Sequence, residues 1–167
     1  MIGRRQDIFG DGDTAVTEGL WEAAKTRERA AKGQGGTLDG VARALPALSR
    51  ADKLQKRLAS VGFDWNSPQR VLDKVVEEAA EIAEAQAAGA PQAELEGEIG
   101  DLLFVIANLA RHLKIDPEAA LRATNSKVER RFAWIEAELA GAGRKPADAA
   151  LDELEALWQR AKTESLT

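Results

Sequence analysis

The stretch LEGEIGDLLFVIANLARHL, residues 95–113, decides the fold of this chain. Apolar residues recur in it every three or four positions, the spacing of one face of an α-helix: Leu95, Ile99, Leu102, Ile106, Leu109 and Leu113. This stripe is the strongest in the sequence, and we expect it to face the core of a helical domain.

Similar patterns on both sides of this stretch predict an all-α protein. Ser67 followed by Pro68 is typical of a helix start, and so is Asp116 before Pro117. Together with the first stretch, these patterns predict helices over residues 45–61, 68–88, 117–140 and 151–162. We therefore expect a four-helix bundle with an appended C-terminal helix. Residues 41–167 would form this domain, and residues 1–40 an N-terminal arm or linker with one helix over 18–31.

The composition excludes several classes of protein. Among 167 residues there is no cysteine and one histidine, His112, which excludes disulfides, thiol catalysis and zinc sites that need Cys or two His. The net charge of -5 argues against non-specific nucleic-acid binding. No apolar run approaches the roughly 20 residues that span a bilayer, and no signal-peptide core is visible. We expect a cytoplasmic protein that binds neither nucleic acid nor membrane.

Two carboxylate pairs lie on consecutive predicted helices. Glu78 and Glu81 are three residues apart, as are Glu98 and Asp101, so each pair projects from one side of its helix. A short connection makes the helices antiparallel neighbours, and the pairs would face each other next to core positions. A hard divalent cation, Mg²⁺, Mn²⁺ or Ca²⁺, would relieve their repulsion. From the residues alone, a solvated acidic face explains the pattern about as well.

A di-iron carboxylate bundle is the alternative metal site, and it fails on its ligands. It needs Glu-x-x-His on two helices. His112 is the sole histidine, and residue 109 is Leu rather than Glu. His112 is better explained as an ordinary residue near the end of its helix.

Several segments, in order along the chain, resemble the MazG family of nucleoside triphosphate pyrophosphohydrolases. Residues 74–81, KVVEEAAE, resemble the EExxE motif, and residues 98–104, EIGDLLF, resemble the ExxD segment. Residues 125–132, NSKVERRF, resemble the basic segment of the family, and Trp158 with Lys162 resembles its C-terminal Trp-x-x-x-Lys. The similarity is to the C-terminal catalytic half of long bacterial members and is dense over residues 41–162.

This resemblance implies an enzyme that hydrolyses nucleoside triphosphates, broadly in base, to the monophosphate and pyrophosphate. It implies Mg²⁺, with Mn²⁺ as a possible substitute, on Glu78, Glu81, Glu98 and Asp101. Glu77 would contact a second metal or orient water, or would simply be solvated. Substrate contacts would come from eight further residues: Lys25, Lys74, Asn108, Lys127, Arg130, Arg131, Trp158 and Lys162. The family is dimeric or higher, and a four-helix unit with an exposed seam would bury more as a homodimer.

For several of these residues the sequence leaves a structural alternative open. Without the resemblance, Lys127, Arg130 and Arg131 would be explained as a solvated basic face. Lys74 could form an i,i+4 ion pair with Glu78 instead of reaching a phosphate. Trp158 could dock the last helix instead of stacking on a base, and Trp65 is expected in the core or an interface.

The chain also departs from the family pattern. Gly97 stands where the second motif usually opens with an acidic residue, and the N-terminal repeat of long members is missing. These departures keep a second hypothesis open, a catalytically weak nucleotide-binding or regulatory module that acts through a protein partner.

Overall fold

The five α-helices described below follow the order that the sequence predicts. The structure is a computed structural model that describes residues 35–164. Within that range it contains no strand, and the helices are α1 (Ala47–Ser60), α2 (Pro68–Ala87), α3 (Gln92–His112), α4 (Pro117–Gly141) and α5 (Leu151–Glu164). The prediction of an all-α fold is confirmed. The helix expected over residues 18–31, with Lys25, lies outside the described residues.

The helix starts read from the sequence are confirmed at two places. The Ser67 hydroxyl accepts a hydrogen bond from the Arg70 backbone N–H at 3.4 Å, and the Asp116 carboxylate accepts one from the Ala119 N–H at 3.0 Å. Each cap is followed by Pro at the first helical position, where the missing N–H costs nothing. After α2, Gly89 takes a positive φ of 67°, and the chain turns back into α3.

The helices pack as two groups. α2 and α3 form the most extensive pair, and α1 packs on α3. α4 and α5 form a second pair around a small core of Ile135, Leu139 and Ala161. The carboxylates on α2 and α3 therefore belong to the first group, and the Trp158 region belongs to the second.

The stripe on α3 differs from the expectation that it faces the core of this chain. Ile99 and Ile106 are exposed, whereas Val105, Ala107 and Asn108 are buried. α1 and α2 cover the side of α3 that carries Ala107, whose small side chain allows close packing, and leave the neighbouring apolar side open. Among residues 35–164, no helix is both long and apolar enough to cross a membrane.

Candidate metal centre and adjoining cavity

Three carboxylates from α2 and α3 meet at the interface of these helices. Oxygen atoms of Glu78, Glu98 and Asp101 all lie within 4.8 Å of one another. Glu78 is only 5% exposed, Glu98 is half-buried and Asp101 is exposed. A buried carboxylate among like charges is costly unless a cation neutralises it. Oxygen ligands at this spacing can hold a hard divalent cation.

Lys74, one turn before Glu78 on α2, is tied to two acidic residues. Its Nζ lies 2.8 Å from Glu78 Oε1 and 2.9 Å from Glu77 Oε1. Hydrogen bonds to Glu78 and then to Glu77 raise the pKa of Lys74, so it stays charged at neutral pH. Of the two roles that the sequence left open for Lys74, the structure shows the ion pair. It also gives Glu77 a partner, so that Glu77 is held beside the cluster.

Glu81 lies outside the group of three carboxylates but is close enough to be repelled by two of them. Desolvation raises the pKa of Glu81, and repulsion from Glu78 and Glu98 raises it further, with Lys74 opposing. The fourth predicted ligand therefore borders the cluster, on the side of α2 that carries Glu78.

A cavity of about 290 Å³ lies between α1, α3 and the loop that joins α1 to α2. It is lined by Gln55, Leu58, Gly62, Phe63, Asp64, Trp65, Phe104 and Asn108. Phe104 and Asn108 follow Asp101 by three and seven residues on α3, so they continue its side of the helix for about two turns. Asp101 and two residues of the cavity wall thus share a single face of α3.

Two buried amides line this cavity. Gln55, 2% exposed, donates from Nε2 to the Phe104 carbonyl at 2.7 Å, and its Oε1 is buried without a hydrogen-bond partner. Asn108, 4% exposed, accepts at Oδ1 from Arg111 Nη2 at 2.9 Å. The sequence interpretation identified Asn108 but missed Gln55. The available signal was a polar residue on the inward face of α1, four residues after the buried Ala51.

The loop over the cavity is held by an ion-pair network. Asp64 pairs with Arg111, and His112 Nε2 lies 3.3 Å from Asp64 Oδ1. Desolvation raises the pKa of Asp64, but the hydrogen bonds and charges of Arg111 and His112 outweigh it, so the net pKa is lowered. His112 therefore has a structural partner, and Trp65, on the same loop, contributes to the cavity wall.

The predicted phosphate-binding cations on α4 and α5 have other surroundings. The Arg131 guanidinium lies 5.5 Å from the centroid of the Trp158 ring, and Trp158 packs on the α4–α5 core. Lys162 donates to Gln159 Oε1 at 2.8 Å. Lys127 and Arg130 are exposed and form no ion pair within residues 35–164. The structure thus shows the docking alternative for Trp158. The contacts recorded for Arg131, Trp158 and Lys162 do not join them to the carboxylates.

The described residues define an all-helical protein with a carboxylate centre beside a mostly apolar cavity. Residues 66–135 match the family described as the MazG nucleotide pyrophosphohydrolase domain. These residues include every member of the carboxylate centre, and they are thus similar to a MazG domain, as the motifs indicated.

The chain is also similar to three curated proteins, two of which are named as nucleoside triphosphate pyrophosphohydrolases. The chain is 48% identical over 167 residues to the nucleoside triphosphate pyrophosphohydrolase of Escherichia coli (strain K12), covering 98% of this chain and 64% of that protein. It is 36% identical over 162 residues to the nucleoside triphosphate pyrophosphohydrolase/pyrophosphatase MazG of Thermotoga maritima, covering 97% and 61%. It is 42% identical over 165 residues to the uncharacterized protein YabN of Bacillus subtilis (strain 168), covering 97% and 34%. The chain spans less than two thirds of the length of these curated relatives.

Proposed function

We propose that this chain hydrolyses nucleoside triphosphates to nucleoside monophosphate and pyrophosphate, with Mg²⁺ and with broad tolerance of the base. One observation carries the proposal: buried Glu78 meets Glu98 and Asp101 within 4.8 Å, and Asp101 shares one face of α3 with Phe104 and Asn108, which line a cavity with aromatic walls. A triphosphate needs both features, a cation site for its phosphates and an apolar space for its base. The names of the similar proteins support the same reaction.

Glu78, Glu81, Glu98 and Asp101 would hold Mg²⁺, and Mn²⁺ would substitute for it. When bound, the metal would neutralise phosphate charge and polarise the phosphoryl group under attack. Glu77, held by Lys74, would orient the attacking water, and the cavity at Asn108 would hold the base.

Cations outside the carboxylate centre would contact the phosphates of the substrate. Lys127, Arg130, Arg131 and Lys162 would serve from α4 and α5, with Trp158 beside them, and Lys25 would serve from the arm. In the ion pair with Glu78, Lys74 partly neutralises the cluster, and it would contact a phosphate once a metal ion neutralised Glu78.

The exposed apolar residues of α2 and α3 support a homodimer. Val76 is 70% exposed on α2, and Ile99, Leu103 and Ile106 form an exposed stripe on α3. Contiguous apolar surface of this kind is typical of an interface. We propose that two copies of the domain over residues 41–167 pair through this surface, in the cytoplasm and without nucleic acid or membrane, and that residues 1–40 form an arm.

Pyrophosphate release from a panel of nucleoside triphosphates tests the activity. We expect Mg²⁺-dependent formation of equal amounts of monophosphate and pyrophosphate, and no inorganic phosphate as the first product. Glu98→Gln should abolish turnover, whereas Glu94→Gln, on an exposed position of the same helix, should not. Nucleotide binding without turnover of any triphosphate would instead support the regulatory module.

A further inference from the structure

We propose that Gln55 is a specificity-determining residue, which accepts a hydrogen bond from an N–H on the pairing edge of the bound base. The inference rests on the proposed function, because it assigns the cavity to the base of a nucleoside triphosphate. It goes further by naming the chemical group of the base that the protein reads. It also explains why one cavity accepts many bases.

The orientation of the Gln55 amide is settled by its neighbour. The Phe104 carbonyl can only accept, so the amide nitrogen of Gln55 must face it, at 2.7 Å. Turning the amide over would set two oxygens against each other. Oε1 is therefore presented as an acceptor, buried and without a partner among residues 35–164. A buried acceptor without a partner is unusual, and because Gln55 lines the cavity, an N–H donor of a bound ligand would satisfy it.

Asn108 is oriented by the same reasoning, with the opposite result. The Arg111 guanidinium can only donate, so Asn108 must turn Oδ1 toward it, at 2.9 Å. Its Nδ2 is then left as a donor. Arg111 is itself held by the ion pair with Asp64 on the loop over the cavity. Gln55 and Asn108 thus offer the cavity one fixed acceptor and one fixed donor.

Nucleobases meet this requirement as a class. Each common base carries on its pairing edge an N–H donor next to an acceptor: the amino group and ring nitrogen of adenine and cytosine, or the ring N–H and carbonyl of guanine and uracil. Phe63, Trp65 and Phe104 supply aromatic surface, and contact with such surface is tolerant of base identity. The cavity, at about 290 Å³, lies at the lower end of ligand-site volumes and suits a base rather than a whole nucleotide. The site therefore discriminates against bases without an N–H rather than among ordinary bases.

The test compares ATP with purine riboside 5′-triphosphate, which lacks the 6-amino group and is otherwise the same. For the unmodified protein we expect kcat/KM for ATP to exceed that for the analogue by roughly ten- to a hundredfold, the effect of leaving one buried acceptor unpaired. In Gln55→Met this ratio should fall to about threefold or less, because the acceptor is removed. Gln86→Met, the same change at an exposed position of α2, should keep the full ratio.

The outcomes separate this inference from the proposed function. Equal kcat/KM for ATP and the analogue in the unmodified protein, with pyrophosphate released from both, overturns the role of Gln55 and leaves the activity standing. An unchanged ratio in Gln55→Met overturns it as well. If no triphosphate is hydrolysed, the activity fails, and calorimetric binding of AMP against purine riboside 5′-monophosphate still decides whether Gln55 reads the amino group. Circular dichroism checks folding, and Gln55→Leu serves if the Met variant unfolds.

Discussion

Replacing Glu78 by Gln removes one charge from the centre of the carboxylate cluster while keeping the shape of the side chain. Glu78 is the most buried member of the cluster, and its oxygens lie no farther than 4.8 Å from those of Glu98 and Asp101. At that distance, two unit charges repel by about 1 kcal/mol in water and about 3.5 kcal/mol at the dielectric constant of a protein surface. Because Asp101 is exposed, solvent screening places the value nearer the lower figure.

The variant should change the stability of the metal-bound protein but hardly that of the metal-free protein. Without metal, relief of repulsion offsets the lost ion pair with Lys74, which keeps Glu77 as a partner, so Tm should change little. With metal, the unmodified protein should gain about 2.7 kcal/mol at a Mg²⁺ concentration of a hundred times Kd. For a chain of this length that is a rise in Tm of roughly 5–11 °C. Removing a residue that hydrogen-bonds to a metal ligand can raise the Kd for the metal by about a hundredfold, and removing the ligand itself should raise it at least as much. The gain then falls to about 0.4 kcal/mol, or roughly 1 °C.

Thermal unfolding with and without Mg²⁺ measures both effects in one assay. Glu84→Gln makes the same change at an exposed position of α2, outside the cluster, and should keep the full Mg²⁺-induced rise. A Glu78→Gln variant whose Tm rises with Mg²⁺ as much as that of the unmodified protein would refute the assignment of Glu78 as a ligand. The assay needs no substrate, so the result does not depend on the proposed reaction.

Three further predictions concern assembly, packing and pH. Val76→Glu should convert a dimer into a monomer, as measured by light scattering, because it places a charge on the exposed apolar surface of α2. Val61→Glu, at a similarly exposed loop position, should leave the dimer intact. A Val76→Glu variant that stays dimeric would show that this surface is not the interface. Ile135→Ala, at a residue 1% exposed in the α4–α5 core, should lower the free energy of unfolding by about 2–5 kcal/mol in denaturant titrations. Leu151→Ala, at an exposed position, should lower it by less than about 1 kcal/mol. Equal losses in the two variants would contradict the packing of Ile135. Asp64 has a lowered pKa in the folded state, so its contribution to stability is present above its ordinary value of 3.8 and is lost as the pH falls through the folded pKa. The Tm difference between the unmodified protein and Asp64→Asn should therefore shrink below about pH 4, and a difference that persists undiminished at lower pH would contradict the ion pair.

The helices could be predicted because their signals are local. Ser67 and Asp116 cap their helices through bonds that reach only three residues along the chain, and Gly89 ends α2 by its own backbone freedom. The side of α3 that is buried could not be read in the same way. α3 carries more apolar residues than α1 and α2 can cover. Periodicity therefore identified the apolar surface of α3 but not which of its residues are buried in this chain and which, like Ile99, are exposed.

In the candidate site, too, the residues whose placement depends on local spacing could be predicted, and those whose placement depends on tertiary packing could not. The i,i+3 spacing of Glu98 and Asp101 places both carboxylates on one side of α3 whatever the tertiary structure. The meeting of α2 with α3 then follows from the short turn between them, so that Glu78 could be added from the sequence. Trp158 was different, because its role depends on which helix packs against α5, and the structure places it on the α4–α5 core.

The role of Gln55 could not be predicted from the sequence. The local sequence could indicate only that Gln55 lies on the inward face of α1, because its hydrogen-bond partner is a carbonyl 49 positions away, at Phe104. That bond ties α1 to α3 at a point between Asp101 and Asn108. The rise of an α-helix sets Asn108 about 10 Å along the axis from Asp101, and Phe104 about 4.5 Å. A single helix therefore sets the spacing between Asp101 and the α3 residues of the cavity wall, and the hydrogen bond to Phe104 sets which atom of the Gln55 amide is left without a partner.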